Sequence, residues 1–241
     1  MYTFHMASRM RSFRNLLLGM CAALLTCAGQ SRSPVLVELF TSEGCSSCPP
    51  ADLLLEKLDP QAIVLSEHVD YWNQQGWKDP FSSALFTARQ QAYTRILNVE
   101  GPYTPEMIVD GETQFNGSDG RLAIEAITKA TGRKKAEVRI SRTEAGLRVE
   151  IEATPESSDI FLALADDSGA SQVSAGENNG RHLHHVAILR SIRKIGSVKH
   201  GAGFTKELEL PRTAAAQRVI VFLQQSGPGR VSGVAMLPPV S

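Results

Sequence analysis

Two cysteines three residues apart, Cys45 and Cys48, stand where an apolar run, Val35 to Thr41 (VLVELFT), gives way to a segment with helical spacing, Ala51 to Leu58 (ADLLLEKL). This junction constrains the chain more than any other feature. It puts a thiol pair at a helix N-terminus, where backbone N–H groups and the positive end of the helix dipole favour a thiolate. Cys45, at the exposed edge, is the expected attacking sulfur, and Cys48, one turn further in, the expected resolving sulfur. Pro49 and Pro50 follow at once and remove two N–H groups from the first turn, so the helix is expected to start irregularly.

The other cysteines sharpen this reading. Of four cysteines in 241 residues, Cys21 and Cys27 fall within Leu16 to Ala28 (LLLGMCAALLTCA), an apolar run behind Arg9, Arg11 and Arg14 that is too short to span a membrane comfortably. The segment reads as a secretory signal peptide over residues 1–31, with Thr26 and Ala28 as small residues before one cleavage point. Later cleavage points, and starts at Met6 or Met10, stay open. A buried N-terminal helix would need a polar face, which Leu16 to Ala28 lacks. Export leaves Cys45 and Cys48 without competitors in a compartment where disulfides persist, so the chain is expected to be periplasmic or secreted, with no mature membrane span. Three arginines leave with the signal, so the 25 basic residues fall to 22 against 25 acidic ones, a net charge near −3. Nucleic acid is thereby excluded as a partner.

From Pro34 onward, strand and helix signals alternate. Ala62 to Val69 reads as a second strand, and Asp79-Pro80 as an N-cap with proline at the first helical position. Phe81, Leu85, Ala88, Ala92 and Ile96 then give the inner face of an amphipathic helix. Glu106 to Phe115 reads as a hairpin with a type I′ turn at Asp110-Gly111, and Ser118 as the cap of a last helix carrying Leu122, Ala123, Ile127 and Ala130 inward. The order is β-α-β-α-β-β-α. After Gly132 to Lys135 the helix signals stop, and short alternating segments over residues 136 to 238 suggest a β-sandwich. The expected domains are therefore residues 32–133, α/β, and residues 134–241, all-β.

The stretch VELFTSEGCSSC resembles the strand and CxxC of the thioredoxin superfamily, and YTPEMIVDG is similar to that superfamily's cis-proline segment, with Thr104 before Pro105. Together with HVDYWNQQGWKDPF and GENNGRHLHHVAILR, these stretches also resemble a bacterial family of exported proteins with a thioredoxin-like domain and no known function. The resemblance implies a thioredoxin-like N-terminal domain, a cis Thr104-Pro105 bond lying against Cys45, and a buried carboxylate at Glu38 behind the pair. Gly44 stands where thioredoxins have tryptophan, and Ser46-Ser47 replace their Gly-Pro.

The expectation is thus an exported thiol-disulfide oxidoreductase using Cys45 and Cys48, with Glu38 and Pro105 in catalytic roles. Thr104, His68, Asp70 and Trp72 would line the substrate site, because the ends of parallel strands face the ligand crevice in such folds. Partners would be protein or small-molecule thiols and disulfides and a further redox partner; no cofactor is called for. Bland readings stand beside these. The pair could be a static staple, although so short a loop removes little chain entropy. Glu38 could point to solvent, the tryptophans could be core, and Asp70 could be a loop cap. A rival function is Cu(I) binding by the two thiolates with His68, and a third is a redox-inert binding protein. His182 and His184 share one strand face but lack further ligands nearby, so they read as surface residues.

Overall fold

Eleven strands and three α-helices follow one another among the described residues of the computed structural model, which are residues 1–2 and 33–240. The apolar run of the expected signal peptide, with Cys21 and Cys27, lies outside them. No helix among the described residues is long and apolar enough to cross a membrane.

The first half contains β1 (Leu36–Thr41), α1 (Pro49–Leu58), β2 (Ile63–His68), a 3-10 turn (Tyr71–Gln75), α2 (Ala84–Ile96), β3 (Glu106–Val109), β4 (Thr113–Asn116) and α3 (Gly120–Thr131). The second half supplies β5 (Val138–Thr143), β6 (Gly146–Ile151), β7 (Ser158–Gln172), β8 (His182–Val198), β9 (Phe204–Leu208), β10 (Gln217–Gln224) and β11 (Val231–Leu237). β1 is buried on both faces, as its continuous apolar run requires. Val37 and Leu39 pack with Ala51 and Leu55 of α1 and Ala123 of α3. Leu36, on the opposite face, packs with Phe86 of α2.

The expected fold class, a thioredoxin-like α/β domain followed by a separate β-sandwich, is corrected by the sheet. Strands from both halves join one mixed eight-stranded sheet in the order β11-β10-β7-β8-β2-β1-β3-β4, and β5, β6 and β9 form a second sheet of three. The join is made by β2 and β8, which pair in parallel at Ser66 and Ile188. An unpaired β2 edge would leave a row of N–H and C=O groups open, and β8 covers it. The core crosses the expected boundary too: Leu36, Leu65 and Phe86 share one cluster with Ile220, Phe222 and Val231. The three-stranded sheet packs Leu147, Val149 and Leu208 against Leu162, Val219 and Val221 of the large sheet. The stretch at the expected domain boundary is tied down, with Lys135 Nζ 2.6 Å from Asp110 and the Ala136 N–H donating to the Ser232 carbonyl at 2.7 Å.

Local readings fare differently from one another. At the β3–β4 turn both Asp110 (φ 50°) and Gly111 (φ 68°) are left-handed, and the Glu112 N–H donates to the Val109 carbonyl, as a type I′ turn needs. α2 starts at Ala84 with Ser83 as its cap, not at Asp79. Its buried face is Phe86, Gln90, Tyr93 and Thr94, while Leu85 and Ile96 are exposed. α3 is capped by Asp119, whose side chain accepts from the Leu122 N–H, and not by Ser118.

Candidate functional site

β1 ends at Thr41 and the chain turns through Ser42, Glu43 and Gly44 into the cysteines. The Cys45 N–H donates to the Ser42 carbonyl and the Cys48 N–H to the Cys45 carbonyl, each at 3.2 Å, so the loop is already wound before α1 begins. Cys48 is the N-cap of α1, with prolines in its first turn and no side-chain cap. Cys45 and Cys48 form a disulfide, with Cα atoms 5.4 Å apart. Both cysteines are buried, whereas Ser46 and Ser47 between them are exposed.

Three groups of residues surround the pair. The first holds Trp72 and Thr104. A Cβ on Gly44 would lie 3.0 Å from Trp72 Cβ, so glycine before Cys45 lets the tryptophan pack there. Trp72 Nε1 donates to Thr104 Oγ1 at 2.8 Å, and the Thr104–Pro105 bond is cis. Pro105 is buried near the first turn of α1, since a Cβ on Gly117 would lie 3.1 Å from Pro105 Cβ and 3.3 Å from Ala51 Cβ. The second is the connection between β7 and β8. Buried Asn178 donates through Nδ2 to the carbonyls of Glu43 (2.8 Å) and Cys45 (2.9 Å), and the Ser46 N–H donates to Glu177 Oε2 at 3.0 Å.

The third is a buried ionisable group beside the pair. Glu43, two residues before Cys45, accepts from Trp77 Nε1 at 2.8 Å, from Ser171 Oγ, and from His185 Nε2 at 3.2 Å. His185 Nδ1 lies 3.6 Å from Asp52 Oδ1. Asp52 sits one turn beyond Cys48, and its N–H donates to the Cys48 carbonyl. Burial opposes the His185 charge, but Asp52 and Glu43 outweigh it and raise its pKa to about 9. Burial would likewise raise Glu43, but its bonds from His185, Ser171 and Trp77 hold it below the usual carboxylate range. Next to these, His68 Nδ1 donates to Asp79 Oδ2 at 2.7 Å, and the His68 and His185 rings meet edge to face at 4.5 Å between centroids. Asp79 also accepts from the Glu43 N–H at 2.9 Å. Burial works to raise its pKa, but His68 and the backbone donors of Glu43 and Phe81 bring it below normal.

Of the residues read from the sequence, Cys45, Cys48, Trp72, Thr104 and Pro105 come together here. His68 is present but fully buried, engaged with Asp79 and set against the His185 ring. Asp70 is not part of the site: its Oδ1 accepts from Thr87 Oγ1 of α2 at 2.6 Å. Glu38 is buried on the face of β1 opposite α1, where Arg89 Nε donates to it at 2.7 Å and Tyr93 OH at 2.5 Å. His182 and His184 are exposed. Glu43, Asp52, Asp79, Asn178 and His185 were not singled out for the site. Strand parity does mark His185, which falls on the buried side with Leu183 while its neighbours His182 and His184 fall outside. Among the described residues, no group of three or more His, Cys, Asp or Glu side chains has metal-holding geometry.

The fold and site define a mixed-sheet protein in which a buried CxxC disulfide at a helix start is covered by a loop from the second half of the chain. The chain belongs to the family described as "Protein of unknown function (DUF1223)", whose model matches residues 36–224. It is similar to the crystal structure of protein AGR_C_4864 from Agrobacterium tumefaciens, with 29% identity and a TM-score of 0.74 over 86% of this chain and 95% of that one. HBP35 of Porphyromonas gingivalis resembles it in fold alone, at 14% identity and a TM-score of 0.55 over 86% of this chain and 76% of the other. No curated protein matches.

Proposed function

We propose that the protein is an exported thiol-disulfide oxidoreductase, working in the periplasm or outside the cell, in which Cys45–Cys48 is oxidised and reduced reversibly. The observation that carries this reading is the disulfide at the N-terminus of α1 with buried ionisable side chains on both sides of it. A helix start lowers the cost of a thiolate, and a structural staple has no need of Glu43, His185 and Asp52 gathered around it. Partners are thiols or disulfides on proteins or small molecules. Because both sulfurs are buried under Asn178 and Glu177, a partner reaches Cys45 when that loop lifts away from the exposed serines.

The test is a trap. Expressed with its full leader, Cys48→Ala should accumulate reductant-sensitive adducts with other exported proteins, because no second thiol is at hand to resolve them, and Cys45→Ala should show few. Equal, near-zero levels in both would remove the reading.

A second reading has one observation in its favour. Nε2 of His68 is buried without a partner while Nδ1 is bonded to Asp79, and metal-binding histidines are commonly held by a carboxylate in this way. With the disulfide opened and its sulfurs turned towards that ring, the reduced thiols and His68 would suit Cu(I); as they stand, the three are not in metal-holding geometry. Stoichiometric copper on the reduced protein, lost in His68→Gln, is the result this reading requires.

A further inference from the structure

We propose that His185 is a positioning residue for the Cys45–Cys48 chemistry: its cation balances the Glu43 and Asp52 carboxylates that bracket the pair, and so sets how readily reduced Cys45 becomes a thiolate. The inference rests on the reading of the pair as reversible.

His185 is faced by acidic and aromatic side chains from several elements. Glu43 comes from the loop after β1, at 3.2 Å, and Asp52 from α1, at 3.6 Å. The His68 ring faces it from β2 at 4.5 Å, with Asp79 on that ring's Nδ1, and the Phe81 ring lies 5.7 Å away. Ser171 of β7 holds the same Glu43 oxygen. On the outer side of β8, exposed His184 approaches Glu56 at 3.9 Å and does not enter the cluster. His185, Glu43 and Asp52 are all buried, so their charges are poorly screened.

Glu43 is two residues before Cys45, and Asp52 is four after Cys48. A thiolate forming between two uncompensated carboxylates would be opposed by both. With the imidazolium between them, the bracket carries one net negative charge in place of two. The Asp79 carboxylate faces His68, where His68 and the Glu43 N–H take up its oxygen Oδ2. In the exchange this serves, Cys45 releases its proton and its thiolate attacks one sulfur of a partner disulfide. The partner S–S bond breaks and its other sulfur leaves as a thiolate. Cys48, after losing its own proton, then attacks Cys45 Sγ; the mixed disulfide breaks, Cys45–Cys48 forms, and the partner departs as a dithiol after taking two protons from solvent. The partner gains two electrons and the pair loses two.

The experiment titrates the thiols of the processed, reduced protein by ultraviolet thiolate absorbance and by the pH dependence of alkylation with a small reagent. His185→Gln should raise the lower thiol midpoint by about one unit, slowing alkylation at neutral pH about tenfold, since one unit is a tenfold change in thiolate fraction. Asp52→Asn should move the midpoint the opposite way, and the double variant His185→Gln with Asp52→Asn should return towards the wild type. A merely structural role for His185 predicts no such rescue, because the double variant disturbs packing more than either single one. The proposal is overturned by a His185→Gln midpoint equal to that of the wild type, or by a double variant no closer to the wild type than His185→Gln. Should His185→Gln fail to fold, Asp52→Asn alone decides, and an unmoved or raised midpoint overturns the proposal. The adduct trap is independent of these titrations, so adducts without a midpoint shift would sink only this inference, and a shift without adducts only the oxidoreductase reading.

Discussion

The two faces of β1 each bury an ionisable cluster, and only one of them lies beside the cysteines. On the α2 face, Glu38 has one carboxylate oxygen bonded to Arg89 and the other to Tyr93, Gln224 joins through the Tyr93 hydroxyl, and Glu67 closes the group at 3.6 Å from Arg89. Burial first, and then the neighbouring Glu38, push the Glu67 pKa well above the ordinary carboxylate value. Burial works against the Arg89 charge, but Glu38, Tyr93 and Glu67 overcome it and keep the guanidinium firmly protonated. On the α1 face, Glu43, His185 and Asp52 bracket the disulfide, and His68 keeps one nitrogen without a partner. The first cluster joins α2 to β1, β2 and β10; the second joins the CxxC loop to β8. Burial of charge is thus common to both, and nearness to the sulfurs separates them.

The largest effect is expected on the α2 face. Arg89→Met removes the cation that Glu38 and Glu67 share, and breaking a buried pair in this way costs about 3–5 kcal/mol. Urea unfolding at neutral pH measures it. A loss below about 1 kcal/mol, the range of exposed pairs, would break the contrast by showing that this cluster does not hold the sheet to α2.

Next comes pH, which separates the faces through His185. Its folded pKa of about 9 lies above the ordinary value of 6.5. A base whose pKa is raised on folding contributes stability that is fully present below its unfolded pKa and is lost as pH rises through the folded one. Stability should therefore decline from about pH 6.5 to about pH 9. Glu106, raised by burial to about 7 from 4.5 and only partly relieved by its bond from Gln90, gives a decline of the same sign in the lower window. In His185→Gln the upper decline should vanish while the lower one persists. An unchanged upper limb in that variant would detach His185 from the carboxylates.

Asn178→Ala should have a smaller effect on stability and a visible one on access. It leaves the buried carbonyls of Glu43 and Cys45 without their donor, a loss of about 1–3 kcal/mol. Reduction of the disulfide by dithiothreitol should then be faster than in the wild type, because the loop covering it is less firmly held. An equal rate would mean that the loop opens freely already.

Much of this contrast was out of reach of the sequence, for reasons that particular residues show. The Cys45–Cys48 junction, the Asp110-Gly111 turn and the helix beginning at Pro49 rest on contacts a few residues apart, which spacing and turn chemistry reveal. α2 escapes apolar periodicity because its inner face is largely polar: that pattern picks Leu85 and Ile96, whereas the fold buries Tyr93 to meet Glu38 and Gln224, and Gln90 to meet Glu106 and the Tyr103 carbonyl. Asp79-Pro80 has the look of a helix start, yet Asp79 is drawn inward by His68 and the Glu43 N–H. The continuity of the sheet depends on β8 pairing with β2 across more than a hundred residues of chain, and no local pattern in either strand specifies that edge. His185 and Asn178 enter the site only through that pairing.

Glu38 carries the smallest expected effect and the sharpest test of the contrast. The sequence singles it out as a charge in an apolar strand, and its burial follows that expectation. Side chains alternate across a strand, however, and Val37 and Leu39 take the face towards α1. Glu38 therefore points away from the cysteines, with both oxygens occupied. Glu38→Gln keeps the shape and an acceptor for Tyr93 or Arg89, while Glu67, already within 3.6 Å of Arg89, still faces that guanidinium. The charge removed lies on the side of β1 away from α1 and the sulfurs. The thiol titration of Glu38→Gln should accordingly coincide with that of the wild type, and any movement should be smaller than that of Asp52→Asn. A midpoint shift as large as that of Asp52→Asn would show that charge on the α2 face is felt across β1 at the sulfurs, and the division between a structural cluster and a redox-linked one would fall.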